Sequence, residues 1–200
     1  MNHMLFQNGF EVSAYVASLK NYRSVVKSLL TRATPPPEHV SALREKLAEQ
    51  RSPVRATLMT EDWCGDSAAN LPILANLMEA AEVELRVLRG SEHAELKSYY
   101  NDRGVTHIPV LSLWDRDWNE IARWVEAPAR VDEKKSAWKN GRPEFMRLYH
   151  ERDADKEAAK QFAVMYREFL EQMVGWYESG DWSETTREVV EAVQPASAIV

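Results

Sequence analysis

Strand-forming sequence is confined to residues 54–125 of this chain, and helix-forming sequence lies on both sides of it. Val54-Arg55-Ala56-Thr57-Leu58-Met59-Thr60 is short, apolar and partly β-branched, the pattern of a buried strand. From Glu82 to Leu88, Val83, Leu85 and Val87 alternate with Glu84 and Arg86, which predicts a second strand. Val110–Trp114 predicts a third, and after an Asp115-Arg116-Asp117 turn, Trp118–Val125 a fourth. Between the first two strands, Ala68–Ala81 reads as a helix with Leu71, Leu74, Ala75 and Met78 on one face and a bend at Pro72. Ser91–Tyr100 reads as a second helix with Ser91 as its N-cap. A β-α-β unit followed by a helix and a β-hairpin gives an α/β protein, a mixed central sheet with helices on both faces.

The flanks read as helices. Val12, Tyr15, Val16, Leu19, Tyr22, Val25, Val26 and Leu29 recur at spacings of three and four, predicting one helix over 11–31. Thr34-Pro35-Pro36-Pro37 ends it and launches another over 38–50, with a turn at Ser52-Pro53. Beyond Pro128 the strand signals vanish. Helices are expected over 131–139 and 144–178, then a last one capped by Ser183 and running to Val193, with a frayed tail. The expected organisation is an N-terminal helical extension at 1–50, a core at 51–128, C-terminal helices at 129–194 and a tail at 195–200, as one compact domain. The stripe containing Trp138, Tyr166, Phe169 and Trp176 reads first as core contacts against the sheet, and second as a ligand pocket or dimer face.

Composition removes several function classes. The net charge is −6, and the longest basic cluster is Lys134-Lys135, so nucleic acid is not an expected partner. No apolar run approaches membrane-spanning length. The N-terminus lacks a basic segment followed by an apolar one, so a cytoplasmic location is expected. A single cysteine forbids an intrachain disulfide and a cysteine-rich metal site. The five histidines show no metal-binding spacing, so no metal is expected.

That cysteine, Cys64, follows a predicted strand and precedes a predicted helix. Unpaired amide N–H groups and the helix dipole favour a thiolate there, whereas Glu61, Asp62 and Asp66 oppose one. Gly65 permits a tight turn, and Trp63 covers one side. A lone cysteine is elsewhere most simply a buried, inert residue. Its place in a strand-to-helix loop points instead to chemistry.

Trp63-Cys64-Gly65-Asp66-Ser67 resembles the W-C-G-x-C motif of the thioredoxin superfamily. Pro72, eight residues after Cys64, resembles the proline that kinks that family's first helix. Ile108-Pro109, with Pro109 45 positions after Cys64, resembles the cis-proline loop facing the cysteine, and Val110–Val125 resembles the last two strands. Asn70-Leu71-Pro72 and Arg123-Trp124 are most similar to a bacterial branch that reads W-C-G-D-C. The resemblance spans about residues 50–128 and implies a thioredoxin-like fold with extra N- and C-terminal helices. It implies a cis Pro109 and substrate contacts from Trp63, Gly65, Asp66, Ile108 and Pro109, with the Ile108 backbone pairing with an extended substrate.

The departures bear on activity. Ser67 replaces the second cysteine and makes a C-x-x-S motif that cannot resolve a mixed disulfide from within. Ser67 is expected either to donate to the Cys64 thiolate or to cap the helix. Leu58 stands where the family carries a buried aspartate, and Val125-Glu126 where a glycine is expected. His107, two residues before Pro109, is a candidate activator of the thiol. The resemblance implies a monothiol thiol–disulfide oxidoreductase in cell redox homeostasis. Cys64 and Ser67 would be its catalytic residues, a protein or low-molecular-weight disulfide its partner, and a small external thiol its reductant, with no bound cofactor. The alternative is a redox-inactive binding or adaptor module using the cis-proline groove. The oligomeric state stays open, a homodimer included.

Overall fold

Val54–Thr60 is strand-forming because its side chains alternate between two apolar environments, and the sheet is built on it. The protein is described by a computed structural model covering residues 1–50 and 53–195. It divides into two compact units, one containing residues 1–127 and the chain from Trp182 onward, the other Pro128–Asp181.

The first unit opens with α1 (His3–Gln7), α2 (Val12–Ser18), α3 (Arg23–Leu30) and α4 (Pro37–Glu49). The core follows as β1 (Arg55–Thr60), α5 (Gly65–Ala80), β2 (Glu84–Arg89), α6 (Ala94–Asn101), β3 (Val110–Trp114) and β4 (Glu120–Val125). The second unit holds α7 (Ala129–Asn140), α8 (Pro143–Glu151) and α9 (Lys156–Trp176). After a π turn at Tyr177–Asp181, α10 (Trp182–Ala192) belongs to the first unit again.

The four strands form a mixed sheet in the order β2-β1-β3-β4, with β1 parallel to β2 and the other two pairings antiparallel. Register sorts side chains by face. Leu58 pairs with Val87 and Leu111, and Met59 with Leu88 and Val110, so neighbouring residues of β1 point to opposite faces. The Met59 row joins Leu5, Leu96 and Tyr100 in one cluster. α5 is apolar nearly all round and buried along most of its length, as a helix covered on several sides must be. Both sheet edges are covered in part. Phe10 exchanges two backbone hydrogen bonds with Val87 of β2, and Gln194 donates to Ile121 of β4. Such pairing leaves less free edge for another chain.

Several expectations change. The continuous helix over 11–31 is two helices, broken at Leu19–Tyr22, where Tyr22 takes a left-handed φ of 56° with neither glycine nor proline to announce it. The helix over 144–178 is likewise two, parted at Arg152–Asp155, where Asp155 caps α9 through the Glu157 N–H. α1 was not expected from periodicity, being a single turn closed by the Asn2 side chain. Ser91 does not cap α6; its N–H and hydroxyl both bind Glu61, and His93 holds the cap position. Ser183 lies inside α10 rather than at its cap. The fourth strand starts at Glu120, because Asp115 accepts from the N–H groups of Asp117 and Asn119 and holds a longer loop. The Ser52 half of the expected turn, and the tail from 196 on, lie outside the described residues.

In the second unit Trp138, Phe145, Phe162, Tyr166 and Phe169 pack on one another, with successive ring centroids 4.9–6.1 Å apart. The buried Asp181 binds Lys134 and lies 3.5 Å from Arg130.

Candidate functional site

The loop between β1 and α5 delivers Cys64 to the helix end. α5 begins at Gly65, three residues earlier than periodicity alone suggests, so Cys64 is itself the N-cap. Its sulfur accepts from the Ser67 N–H at 3.4 Å, and its thiol donates to the carbonyl oxygen of Ile108 at 3.5 Å. The Ile108–Pro109 peptide is cis. Cys64 and the Ile108–Pro109 loop, 44 residues apart in sequence, therefore meet directly.

Burial decides the thiol's character. Cys64 is 8% exposed. Loss of water, with the nearby Asp66 charge, pushes its pKa up to about 11, although the Ser67 side chain and the N–H groups of Ser67 and Asp66 pull the other way. Ser67 is buried beside it, and its hydroxyl makes no well-formed hydrogen bond.

The negative charges around Cys64 are not equivalent. Asp62 accepts from Arg89 Nε at 2.7 Å and from the Lys20 N–H at 3.2 Å. Burial disfavours its carboxylate, but these donors outweigh burial and hold it below the usual carboxylate range. The charge of Asp62 is thus committed to Arg89, a partner that the reading of Glu61, Asp62 and Asp66 as charges opposing the thiolate did not include. Arg89 also donates to Ser18 Oγ at 2.7 Å. Glu61 is engaged by Ser91.

The remaining site residues divide into two groups. Trp63 is 64% exposed, the most open aromatic near the cysteine. Ile108 is half-buried and Pro109 buried, beside Cys64. Gly65 and Asp66 form the first turn of α5. His107 is exposed and its Nδ1 lies 2.7 Å from Glu126 Oε2, so its partner in this structure is Glu126. Glu126, at the expected glycine position, adopts φ 62°, a left-handed conformation, and its N–H donates to the Pro109 carbonyl at 2.7 Å. Asn70, fully buried, donates to the carbonyls of Asp66 and Glu126 and accepts from Thr185, which ties the helix to the end of β4 and to α10. Leu58 is fully buried, so the position of the family's aspartate is apolar here.

Sequence reasoning missed Arg89 and Tyr15, which bond the Asp62 carboxylate, and Ser18, which bonds Arg89. The one available signal was a cation, Arg89, directly after the apolar pair Val87-Leu88 at the end of a strand. Among the described residues, no cluster of three or more His, Cys, Asp or Glu side chains is placed to hold a metal ion, and no helix is long and apolar enough to cross a membrane.

A mixed sheet, a cysteine capping the helix after the first strand, and a cis-proline loop against that cysteine define a thioredoxin-like protein. The family model described as thioredoxin matches residues 9–139, and the chain belongs to that family. A 1.5 Å crystal structure of a protein of unknown function from Pseudomonas aeruginosa is similar over 94% of this chain and 93% of that one, with 21% identity and a TM-score of 0.58. That similarity extends the shared fold to the helical additions. An HIV epitope-scaffold is 25% identical over 64% of this chain and 78% of its own, with a TM-score of 0.50. No curated protein matches the chain.

Proposed function

We propose that this chain is a thioredoxin-fold binding module whose Cys64 stays a thiol at neutral pH, and that it holds an extended peptide along the Ile108–Pro109 loop beside Trp63. One observation carries this reading: the Cys64 thiol is 8% exposed and donates to the Ile108 carbonyl, so it is held as a protonated donor. Ser67 and the apolar Leu58 support it, because Ser67 cannot resolve a mixed disulfide and Leu58 cannot accept a proton. The Ile108 carbonyl has a second lone pair with which to meet the N–H of a partner strand. Trp63 offers an open apolar face for a neighbouring side chain.

A second reading, monothiol disulfide exchange, is favoured by the Ser67 N–H on the sulfur, the arrangement that stabilises a thiolate at a helix N-terminus. There the Cys64 thiolate would attack a disulfide, form a mixed disulfide and release the partner's other sulfur as a thiolate. An external thiol would then attack the mixed disulfide and return Cys64.

The two readings separate in one experiment. Wild type and Cys64→Ser are immobilised and offered unstructured peptides with and without a disulfide, and wild type is also incubated with oxidised glutathione at pH 7. Binding that survives Cys64→Ser, fails in Trp63→Ala and proceeds without a glutathione adduct supports the binding module. Prompt adduct formation, with capture lost in Cys64→Ser, overturns it in favour of exchange.

A further inference from the structure

The break between α2 and α3 is not dictated by a helix-breaking residue, yet the chain turns there through a left-handed Tyr22. The corner it makes, Leu19–Tyr22, lies over the cysteine loop. Leu19, Asn21 and Tyr22, with Tyr15 and Val26, wall one side of a cavity whose other side includes Asp62, Cys64 and Ser67. The cavity measures about 10 Å³, room for about one water and nothing larger. On this side Cys64 faces the N-terminal helices across that narrow space. Elsewhere its thiol is engaged by the Ile108 carbonyl.

The corner is held by the burial of Leu19 and by a group of polar contacts to the cysteine loop. Asp62 accepts from the Lys20 N–H within the corner, and Arg89 binds both Asp62 and the Ser18 hydroxyl at the end of α2. The Arg89 guanidinium also lies 4.9 Å from the ring centroids of Phe10 and Tyr15. One buried ion pair, about 10% exposed on each side chain, therefore joins α2, the β1–α5 loop and the end of β2.

We propose that the Leu19–Tyr22 corner is a strap over Cys64, latched by Asp62 and Arg89, and that Cys64 becomes reactive when the strap lifts. The proposal rests on the reading of Cys64 as a held thiol. It makes access to the sulfur a property of the N-terminal helices, and it gives the segment before β1 a task at the site. Lifting the strap breaks the Lys20–Asp62 and Ser18–Arg89 hydrogen bonds and exposes the Leu19 side chain, while Asp62 and Arg89 can stay paired, so the opening leaves the sheet and α5 intact.

The test measures alkylation of Cys64 by iodoacetamide in the folded full-length chain, from pH 7 to 10, in wild type, Ser18→Ala and Asp62→Asn. Ser18→Ala removes one hydrogen bond to a charged group and is expected to raise the rate about tenfold. Asp62→Asn is expected to raise it further. In both, the pH midpoint of the reaction stays that of wild type, and the rate changes little with low urea, because a local opening exposes little surface. Slow alkylation of wild type with equally slow variants overturns the strap alone. A rise that carries the full urea dependence of global unfolding, or that comes entirely from a lowered pH midpoint, also overturns it. Wild type that alkylates as fast as a free cysteine at pH 7 overturns the held-thiol reading and the strap together.

Discussion

The thiol of Cys64 donates to the carbonyl oxygen of Ile108 across 3.5 Å, so the residue that caps α5 and the residue before the cis-proline are joined within one chain. A thiol that serves as a donor keeps its proton. The bond, the burial and the neighbouring Asp66 all act in the same direction, against the pull of the helix N-terminus.

Stability therefore falls on the alkaline side. The unfolded chain releases the Cys64 proton near its ordinary value of 9.0, the folded chain only near 11. Between these values the unfolded state alone gains charge, so the contribution of Cys64 is complete below pH 9 and is lost as pH rises through 11. The loss amounts to roughly 2–3 kcal/mol. Urea unfolding of wild type and Cys64→Ser at pH 7, 9 and 10.5 reads this as a difference that grows with pH; equal pH dependence in the two proteins contradicts it. Tyr15 and Tyr100 are also raised by burial and bend both curves alike, so the difference isolates the thiol.

Arg89 is held in a buried ion pair with Asp62. Removing it strands the Asp62 carboxylate in a buried site, and breaking a pair of this kind costs about 3–5 kcal/mol. Arg89→Met is expected to lose that much at pH 7 in a urea titration. The acid side follows from the same contact. Asp62 is held below the usual carboxylate range, so its contribution is present above the ordinary carboxylate pKa and disappears as pH falls through the lowered one. Arg89→Met should flatten that acid loss, and an acid limb as steep as wild type's would count against the pairing.

The sheet was legible because its signals are local. Val83, Leu85 and Val87 alternate, and Val110–Trp114 is apolar except at Ser112 and buried throughout. Cys64 and Pro109 were legible through motif spacing, and the structure brings Cys64 against the residue that precedes Pro109. The corner at Tyr22 was not, since the apolar period runs through it undisturbed and the turn is held by Asp62, 42 residues from Lys20. The Asp62–Arg89 pair, 27 residues apart, was illegible for the same reason: a charge in a sequence does not name its partner. The helix start at Gly65 was misplaced because a cysteine is an unusual cap, and nothing apolar marks the first turn.

The C-terminus of α5 offers a clean stabilising change. The Val83 N–H donates to the Met78 carbonyl and the Glu82 N–H to that of Glu79, the paired bonds of a Schellman turn with Glu82 at the left-handed position. Glu82 has φ 61°, a conformation that costs a residue with a Cβ about 1 kcal/mol and glycine almost nothing. Its ion pair with Arg44 is largely exposed and contributes little. Glu82→Gly should raise stability by about 0.5–1 kcal/mol, read as a higher thermal midpoint, whereas Glu82→Ala should not. A loss on Glu82→Gly would mean that the Arg44 pair outweighs the backbone strain.

Trp63 separates binding from folding. At 64% exposure its indole adds little to the core, so Trp63→Ala should stay within about 0.5 kcal/mol of wild type in a urea titration. The same substitution removes the largest open apolar face beside Cys64, and an aromatic anchor at the centre of an interface is commonly worth about 2 kcal/mol or more. Peptide capture should therefore fall at least thirtyfold in Trp63→Ala and recover in Trp63→Phe, which restores a ring of similar reach. Capture unchanged in Trp63→Ala would place the binding surface away from the cysteine loop, on a face that neither Ile108 nor Pro109 borders.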